Sequence, residues 1–299
     1  MKRRLIGFLK RLLTPLRRLL LDRGWQLSRT ATERADARRY EASYQPETLR
    51  EHRFYNIGAS SFRHQYWTNV DNPSSWYSVQ QSDQIPWDLL SDDPLAVDDG
   101  VAEIVYTSHT IEHVTDEAAA RLFSEAYRIL RPGGVLRVTA PDSRLAYDAY
   151  RRGDIDFFLP LGTTNRETSP EPSLLVPRSQ ASIQQLFLFS FAGSVSTIHA
   201  DGAAVRLSDE DVDEVFAGGP TPAAFDRCTS MCSIDVQRRY PGNHINWFTH
   251  DKAVAMIASA GFASIEPSGY AQSAVPVLRN TTFFDSTVPH LSLYVEATK

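Results

Sequence analysis

The chain alternates between strand-like and helix-like runs, and its chemically suggestive residues lie where strand-like runs end. Residues 54–58 and 67–71 are typical of short buried strands, and these end in Gly58 and Asp71. A third apolar strand pattern at 101–107 is followed at once by a polar segment. Strands that alternate with helices indicate βαβ units and a parallel sheet. Because such sheets bind ligands beyond the carboxyl ends of their strands, the sequence predicts a ligand site there.

Capping signals mark the ends of two predicted helices. The first covers residues 116–130, with Thr115 as its N-cap and an Arg-Pro-Gly-Gly stop after it. The second covers 250–260, begins after Thr249 and ends at a glycine. Further strands are predicted at residues 135–139, 263–270 and 291–297.

Composition excludes several classes of protein. Of the 299 residues, 42% are hydrophobic, so a sizeable core can form, and the net charge of −5 gives no general attraction to nucleic acid. The two cysteines, Cys228 and Cys232, exclude a disulfide framework and a four-cysteine zinc site. We therefore expect a protein of the reducing cytoplasm that binds no nucleic acid.

Residues 1–26 are predicted to form a basic amphipathic helix. Between Leu5 and Leu20 the apolar residues fall on one side and the lysine and arginines on the other, with Pro15 as a kink. The charged residues exclude a transmembrane span, and the segment lacks the apolar centre of a secretory signal. We expect this helix to lie on an anionic membrane, at the inner face of the plasma membrane. Packing on the protein's own body or on a partner is the alternative.

The rest of the chain divides into three predicted parts. Residues 27–52 are typical of a solvated helical linker, and residues 53–150 and 241–299 contain the α/β core. Residues 151–240 interrupt the alternation with six prolines and an acidic run. We interpret them as an insertion of short helices that covers the substrate side of the sheet. The acidic run is typical of a solvated helix face and does not indicate a metal site.

Five segments of the sequence carry a family resemblance: the glycine turn Tyr55-Asn56-Ile57-Gly58-Ala59-Ser60, the strand Trp67-Thr68-Asn69-Val70-Asp71, the loop Ser82-Asp83-Gln84-Ile85-Pro86-Trp87, the segment from Ser108 to Gly134, and residues 242–249 followed by 260–262. They resemble class I S-adenosylmethionine-dependent methyltransferases, in particular a bacterial subgroup associated with glycan and lipopolysaccharide modification. The resemblance covers about 54–142 and 243–299. The family usually has G-x-G after the first strand, whereas Ala59 and Ser60 follow Gly58 here.

The resemblance implies a Rossmann-like α/β fold, a three-layer α/β/α sandwich with a mostly parallel seven-stranded sheet. It also implies S-adenosyl-L-methionine as the cofactor. A glycine turn lets backbone approach the cofactor, and an acid after the second strand can accept from both ribose hydroxyls. The residues expected to bind the cofactor are Asn56, Gly58, Ala59, Ser60, Asp71, Asp83, Ile85, Ser108 and His109.

Three histidines are the candidate catalytic residues. His109 would lie near the methyl group and act as general base toward a hydroxyl, because imidazole titrates near neutrality. His113 would orient it, and His244 would approach the pocket by family resemblance. A packing or loop-fixing role is the alternative for His113 and His244. His109, Glu112 and His113 form H-x-x-E-H, a metalloprotease pattern, but the segment separates a buried strand from another helix, so no metal is predicted.

The sequence thus favours an enzyme that methylates an oxygen of a glycan, a lipid-linked saccharide or another small hydroxyl-bearing acceptor. Two alternatives remain. One is a non-catalytic scaffold of a membrane-associated glycan assembly complex, suggested by the reduced glycine motif. The other is a nicotinamide oxidoreductase, disfavoured because there is no G-x-G-x-x-G and Asp71 follows Gly58 too closely.

Overall fold

The computed structural model describes residues 33–73, 83–159, 174, 176–193 and 207–299. Within these residues one sheet contains seven strands: β1 (Phe54–Ile57), β2 (Trp67–Asp71), β3 (Ile85–Pro86), β4 (Ala102–Ser108), β5 (Leu130–Pro141), β6 (Ser264–Pro267) and β7 (Ser292–Thr298). Their order is β3-β2-β1-β4-β5-β7-β6, and β7 runs antiparallel to both of its neighbours. The predicted Rossmann-like fold with a mostly parallel seven-stranded sheet is confirmed.

The sheet has a topological switch point between β1 and β4. The chain passes outward from β1 to β2 and β3, and then returns to place β4 on the other side of β1. Gly58 follows β1, and His109 follows β4. Connections leave in opposite directions at such a point and open a crevice between them, which is where open α/β sheets bind their ligands.

Ten α-helices are described: α1 (Glu33–Ser43), α2 (Pro46–Arg50), α3 (Asp116–Ile129), α4 (Ser143–Arg152), α5 (Ile155–Phe158), α6 (Ile183–Phe191), α7 (Asp209–Val215), α8 (Pro222–Thr229), α9 (Ile234–Arg239) and α10 (His250–Ser259). The two predicted N-caps are confirmed. The Thr115 hydroxyl accepts from the Ala118 amide at 3.3 Å, and the Thr249 hydroxyl accepts from the Lys252 amide at 3.2 Å. Each bond satisfies one amide that the helix itself cannot pair.

Both faces of the sheet are covered. On one face the apolar sides of α3 and α10 pack against alternate residues of the central strands, so that Phe123 and Ile257 join the same core as Val138. On the opposite face Tyr40 of α1 packs with Phe54, together with a short helical turn at Pro276–Arg279. Period-2 alternation along each strand divides its side chains between these two cores.

The prediction of a solvated linker before the core is wrong where the structure describes that segment. Residues 33–50 are largely helical, as expected, but Tyr40 is fully buried and its hydroxyl accepts from the Trp67 indole nitrogen at 2.6 Å. Asp36 is also buried, and its carboxylate accepts from the His64 ring at 2.7 Å. The second face of the sheet needs an apolar cover, and α1 provides it.

The segment predicted to be an insertion shares an apolar cluster with α4, most of which lies in the predicted core. Helices α4, α6, α7 and α8 contribute to this cluster, and Trp247 also belongs to it. The predicted boundaries of the insertion and of the other parts remain predictions. The predicted membrane helix at 1–26 lies outside the described residues, and among the described ones no helix has the length and apolar character needed to span a bilayer.

Candidate active site at the switch point

The turn after β1 requires glycine at position 58. Gly58 has a φ of +73°, and its amide donates to the Val70 carbonyl of β2 at 2.9 Å. A Cβ at this position would come within 2.2 Å of the Thr110 hydroxyl oxygen. The left-handed conformation and the lack of space both exclude other residues. The predicted tight turn therefore exists, and Thr110 packs directly against it.

The carboxylate of Asp71 links the ends of β1 and β2. One oxygen accepts from the Ser60 amide at 2.6 Å, and the other accepts from the Asn72 amide at 2.8 Å. Burial raises the pKa of Asp71, although the two backbone bonds oppose that shift. Since each carboxylate oxygen can accept more than one hydrogen bond, both retain acceptor capacity for a ligand hydroxyl. The side chain is thus held in one orientation before any ligand binds.

A cavity of about 250 Å³, here called the main cavity, opens beside this turn. Its lining includes Gly58, Asp71, Trp87, His109, His113 and Arg238. Four residues predicted for the site, Gly58, Asp71, His109 and His113, therefore lie around one space although they come from three segments of the chain. Arg238 belongs to α9 of the predicted insertion, and its guanidinium donates to the Asp88 carboxylate at 3.1 Å across the cavity mouth.

A second cavity of about 430 Å³ lies next to the same glycine turn. Asn56, Ala59 and Ser108 line it together with Gly58. Ser60 reaches the site through its amide bond to Asp71. Most of the residues predicted to bind the cofactor thus lie around the end of β1.

Besides Ser60, two predicted cofactor residues line neither of these two cavities. Asp83 is exposed on the turn that precedes β3, and Ile85 is in β3, paired with Val70. Trp87, from the same loop, does line the main cavity, and its indole nitrogen donates to the Asp93 carbonyl at 2.9 Å. The adenine-binding roles of Asp83 and Ile85 remain predictions.

His109 is the first residue of a histidine–carboxylate cluster after β4. It has a φ of +51°, unusual for a residue other than glycine. Its Nε2 lies 2.8 Å from the Ser292 hydroxyl, and its Nδ1 lies 3.3 Å from Glu112 Oε1. Both ring nitrogens therefore contact protein groups.

The other two histidines approach Glu112 from different parts of the chain. His113 donates from Nδ1 to the Asn243 carbonyl at 3.0 Å, and its Nε2 lies 3.8 Å from Glu112 Oε1. The rings of His113 and His244 are 4.8 Å apart. The backbone amides of residues 245 and 246 donate to the Glu112 carbonyl at 3.0 and 3.1 Å, which brings residue 244 beside a segment more than 130 positions earlier.

Two members of the cluster, Glu112 and His244, have lowered pKa values. Burial opposes ionisation of Glu112, but a hydrogen bond from His109 and the charges of the three histidines lower its pKa to about 2. Burial and the neighbouring His113 lower the pKa of His244 to about 4. At neutral pH the cluster therefore contains an ionised carboxylate and a neutral His244 ring.

One buried network near the site was not predicted from the sequence. Arg137 of β5 is fully buried and forms a bidentate pair with Asp285 at 2.6 and 3.0 Å, and it also donates to Glu296 of β7 at 3.1 Å. Its remaining guanidinium protons go to the Ser268 hydroxyl and the Gly269 carbonyl. The network fixes the β6–β7 connection, whose residues 282–287 form part of the wall of the second cavity. Only alternation along β5 could have indicated this, since Arg137 lies between two inward-facing apolar residues.

A family model described as a methyltransferase domain matches residues 75–138 of the chain. No curated protein matches the chain significantly. The match begins before β3 and ends within β5, so it includes β4, the histidine–carboxylate segment and α3. It implies S-adenosylmethionine as the cofactor, in agreement with the expectation from the glycine turn and Asp71.

Solved structures with a similar arrangement of the chain include three described as methyltransferases that depend on S-adenosylmethionine. One from Thermotoga maritima, described as a possible histamine N-methyltransferase, is 13% identical with a TM-score of 0.37; the alignment covers 89% of this chain and 88% of that one. One from Mesorhizobium loti is 14% identical with a TM-score of 0.36, and the alignment covers 90% of this chain and 99% of that one. One from Archaeoglobus fulgidus is 10% identical with a TM-score of 0.37 and coverage of 90% and 95%. Similarity this low does not bear on the activity or substrate of this chain.

Proposed function

We propose that the chain is an S-adenosylmethionine-dependent methyltransferase that methylates an oxygen of a glycan or lipid-linked saccharide at the cytoplasmic membrane surface. The observation that carries this proposal is the pairing of Gly58 and Asp71 at the switch point. A close backbone turn and an oriented carboxylate lie there on one cavity. Bound nucleosides need both features, the first for close approach and the second for the ribose hydroxyls.

The residues present fit this cofactor. The turn at Gly58 carries no side chain, since a Cβ there would overlap Thr110, and both oxygens of Asp71 keep acceptor capacity. Trp87 and Leu89 offer apolar walls to a ring. When bound, the cofactor supplies an electrophilic methyl group. The contribution of the chain is to hold the acceptor oxygen in line with it and to exclude water, and positioning of this kind accounts for much of the rate in group transfer.

His109 is the residue that we propose as the general base. It borders the main cavity, and Glu112 at 3.3 Å from Nδ1 would stabilise the imidazolium formed when a proton is taken from the acceptor hydroxyl. Its Nε2 contacts Ser292, so the ring has to exchange that partner for the acceptor. We therefore expect the catalytic geometry to form only when the acceptor binds.

The choice of acceptor is supported by two sequence features. The first is the resemblance to methyltransferases associated with glycan modification. The second is the basic amphipathic pattern of residues 1–26, which suits a substrate assembled on a membrane. Mass spectrometry of the host's surface polysaccharide, with and without this gene, tests the assignment: loss of one methyl group is expected, and an unchanged polysaccharide would contradict it.

Asp71→Ala is expected to weaken S-adenosylmethionine binding by about 1–3 kcal/mol, the usual loss for hydrogen bonds to a charged group. Isothermal calorimetry on the full chain measures this. Asp251→Ala is the control, because that carboxylate is fully exposed and outside the site. Equal affinity of wild type and Asp71→Ala would contradict the role of Asp71. Failure of the wild-type protein to bind millimolar cofactor would favour the non-catalytic scaffold instead.

Deletion of residues 1–26 is expected to abolish binding to anionic vesicles and to leave cofactor affinity unchanged. Eight cations in the first 23 residues provide the attraction to acidic headgroups, and the leucines provide the apolar face. Co-sedimentation with vesicles of phosphatidylglycerol and phosphatidylcholine measures the binding. Vesicle binding that persists after the deletion would show that another surface is responsible.

A further inference from the structure

The cluster around Glu112 contains more potential metal ligands than are needed to orient one histidine by a hydrogen bond. Glu112, His113 and His244 each direct one nitrogen or oxygen atom toward a common point, and these atoms all lie within 4.8 Å of one another. Glu112 is 1% exposed, and within the described residues its carboxylate faces the ring nitrogens of His109 at 3.3 Å and of His113 at 3.8 Å. A buried carboxylate held only by such long contacts is costly unless another charge compensates for it.

The orientation of His113 strengthens this point. Its Nδ1 faces a backbone carbonyl, which can only accept, so the Nδ1 atom carries the proton. In the neutral ring the lone pair of Nε2 then faces Glu112 Oε1 at 3.8 Å. Two acceptors facing each other repel, unless a cation lies between them. A carbonyl bond at one ring nitrogen with a free lone pair at the other is the usual arrangement of a metal-bound histidine.

We propose that Glu112, His113 and His244 bind a divalent transition metal of the zinc type at the edge of the main cavity. Two imidazoles and one carboxylate are a donor set that Zn²⁺ uses in open sites, where the fourth position is available to an oxygen ligand. Bonds of about 2.0–2.2 Å require the donor atoms to approach to roughly 3.3–3.6 Å in a tetrahedron. His113 Nε2 and Glu112 Oε1, 3.8 Å apart, are already close to this separation. The other donor atoms lie within 4.8 Å of one another, and a small rotation of the partly exposed histidine side chains would bring them to it.

His113 lines the main cavity together with His109, so an oxygen ligand of the metal would lie near the residue that we propose as the general base. A bound hydroxyl would be more acidic than a free one. This role in methyl transfer rests on the proposed function, whereas metal binding itself does not.

The test is titration of the full-length, chelator-stripped protein with Zn²⁺ in competition with a chromophoric chelator, followed by the visible spectrum with Co²⁺. One equivalent is expected to bind, with Co²⁺ bands of a four-coordinate site. Glu112→Gln and His244→Asn are each expected to weaken Zn²⁺ binding at least 100-fold. His52→Asn is the matched control, because His52 is exposed, lies outside the cluster and has a φ of +51° that asparagine tolerates.

Circular dichroism checks the fold of each variant, and either folded variant suffices for the test. Absence of stoichiometric Zn²⁺ binding by the wild type, or a folded variant that binds Zn²⁺ as tightly as the wild type, would overturn the proposal. Calorimetry with S-adenosylmethionine on the same samples separates the two proposals. Cofactor binding without metal binding overturns only the metal site, and metal binding without cofactor binding overturns only the methyltransferase assignment.

Discussion

Replacing Arg137 with leucine is expected to lower the free energy of unfolding by about 3–5 kcal/mol, the range measured when one partner of a buried ion pair is removed. Asp285 and Glu296 are both buried and would lose their shared counter-charge. Protonating or hydrating either carboxylate requires the β6–β7 connection to open. Since domains have about 5–15 kcal/mol of stability in total, the variant should be close to its folding limit at 37 °C.

Urea unfolding followed by tryptophan fluorescence measures the loss. Arg144→Leu is the matched control, because Arg144 pairs with Asp148 at 3.0 Å but the arginine side chain is 59% exposed. Exposed pairs of this kind contribute about 0–1 kcal/mol. A loss for Arg137→Leu no larger than that for Arg144→Leu would mean that water already reaches Asp285 and Glu296 in the folded protein.

Gly58→Ala is expected to weaken S-adenosylmethionine binding by about 100-fold, or roughly 2.7 kcal/mol. The left-handed conformation alone costs an L-residue about 1–2 kcal/mol. The new methyl group would also overlap Thr110, which must then move together with the segment that follows β4. Since Gly58 and Asp71 border one cavity, this movement changes the space that the cofactor needs.

Gly153→Ala separates the two effects. Gly153 has a φ of +68°, close to that of Gly58, but a Cβ there meets no atom within 4 Å. Both variants should therefore bear the cost of an alanine in the left-handed conformation, and only Gly58→Ala should lose cofactor affinity. If Gly58→Ala binds the cofactor as tightly as wild type in calorimetry, the turn is not part of the binding site.

Sequence patterns were sufficient for elements that depend on local chemistry. The caps at Thr115 and Thr249 were predicted because a hydroxyl before a helix pairs with an amide three residues later. The end of β1 was predicted because a glycine between apolar and small residues marks a tight turn. Where a helix also covers a part of the sheet that is distant in sequence, the prediction of its burial was incomplete. The sequence of α1 is polar enough to suggest a solvated helix, yet Tyr40 is buried under the sheet.

The α/β class, the boundaries of the helices at Asp116–Ile129 and His250–Ser259, and the position of the candidate site at the strand ends could be predicted from the sequence, because each follows from periodicity or capping within a few residues. The folded structure was needed to show that His244 meets Glu112 and His113, that Arg137 pairs with Asp285, and that Asp83 lies outside the main cavity. These contacts join residues far apart in the chain. They depend on how the sheet and its connections pack, and no local sequence pattern predicts this packing.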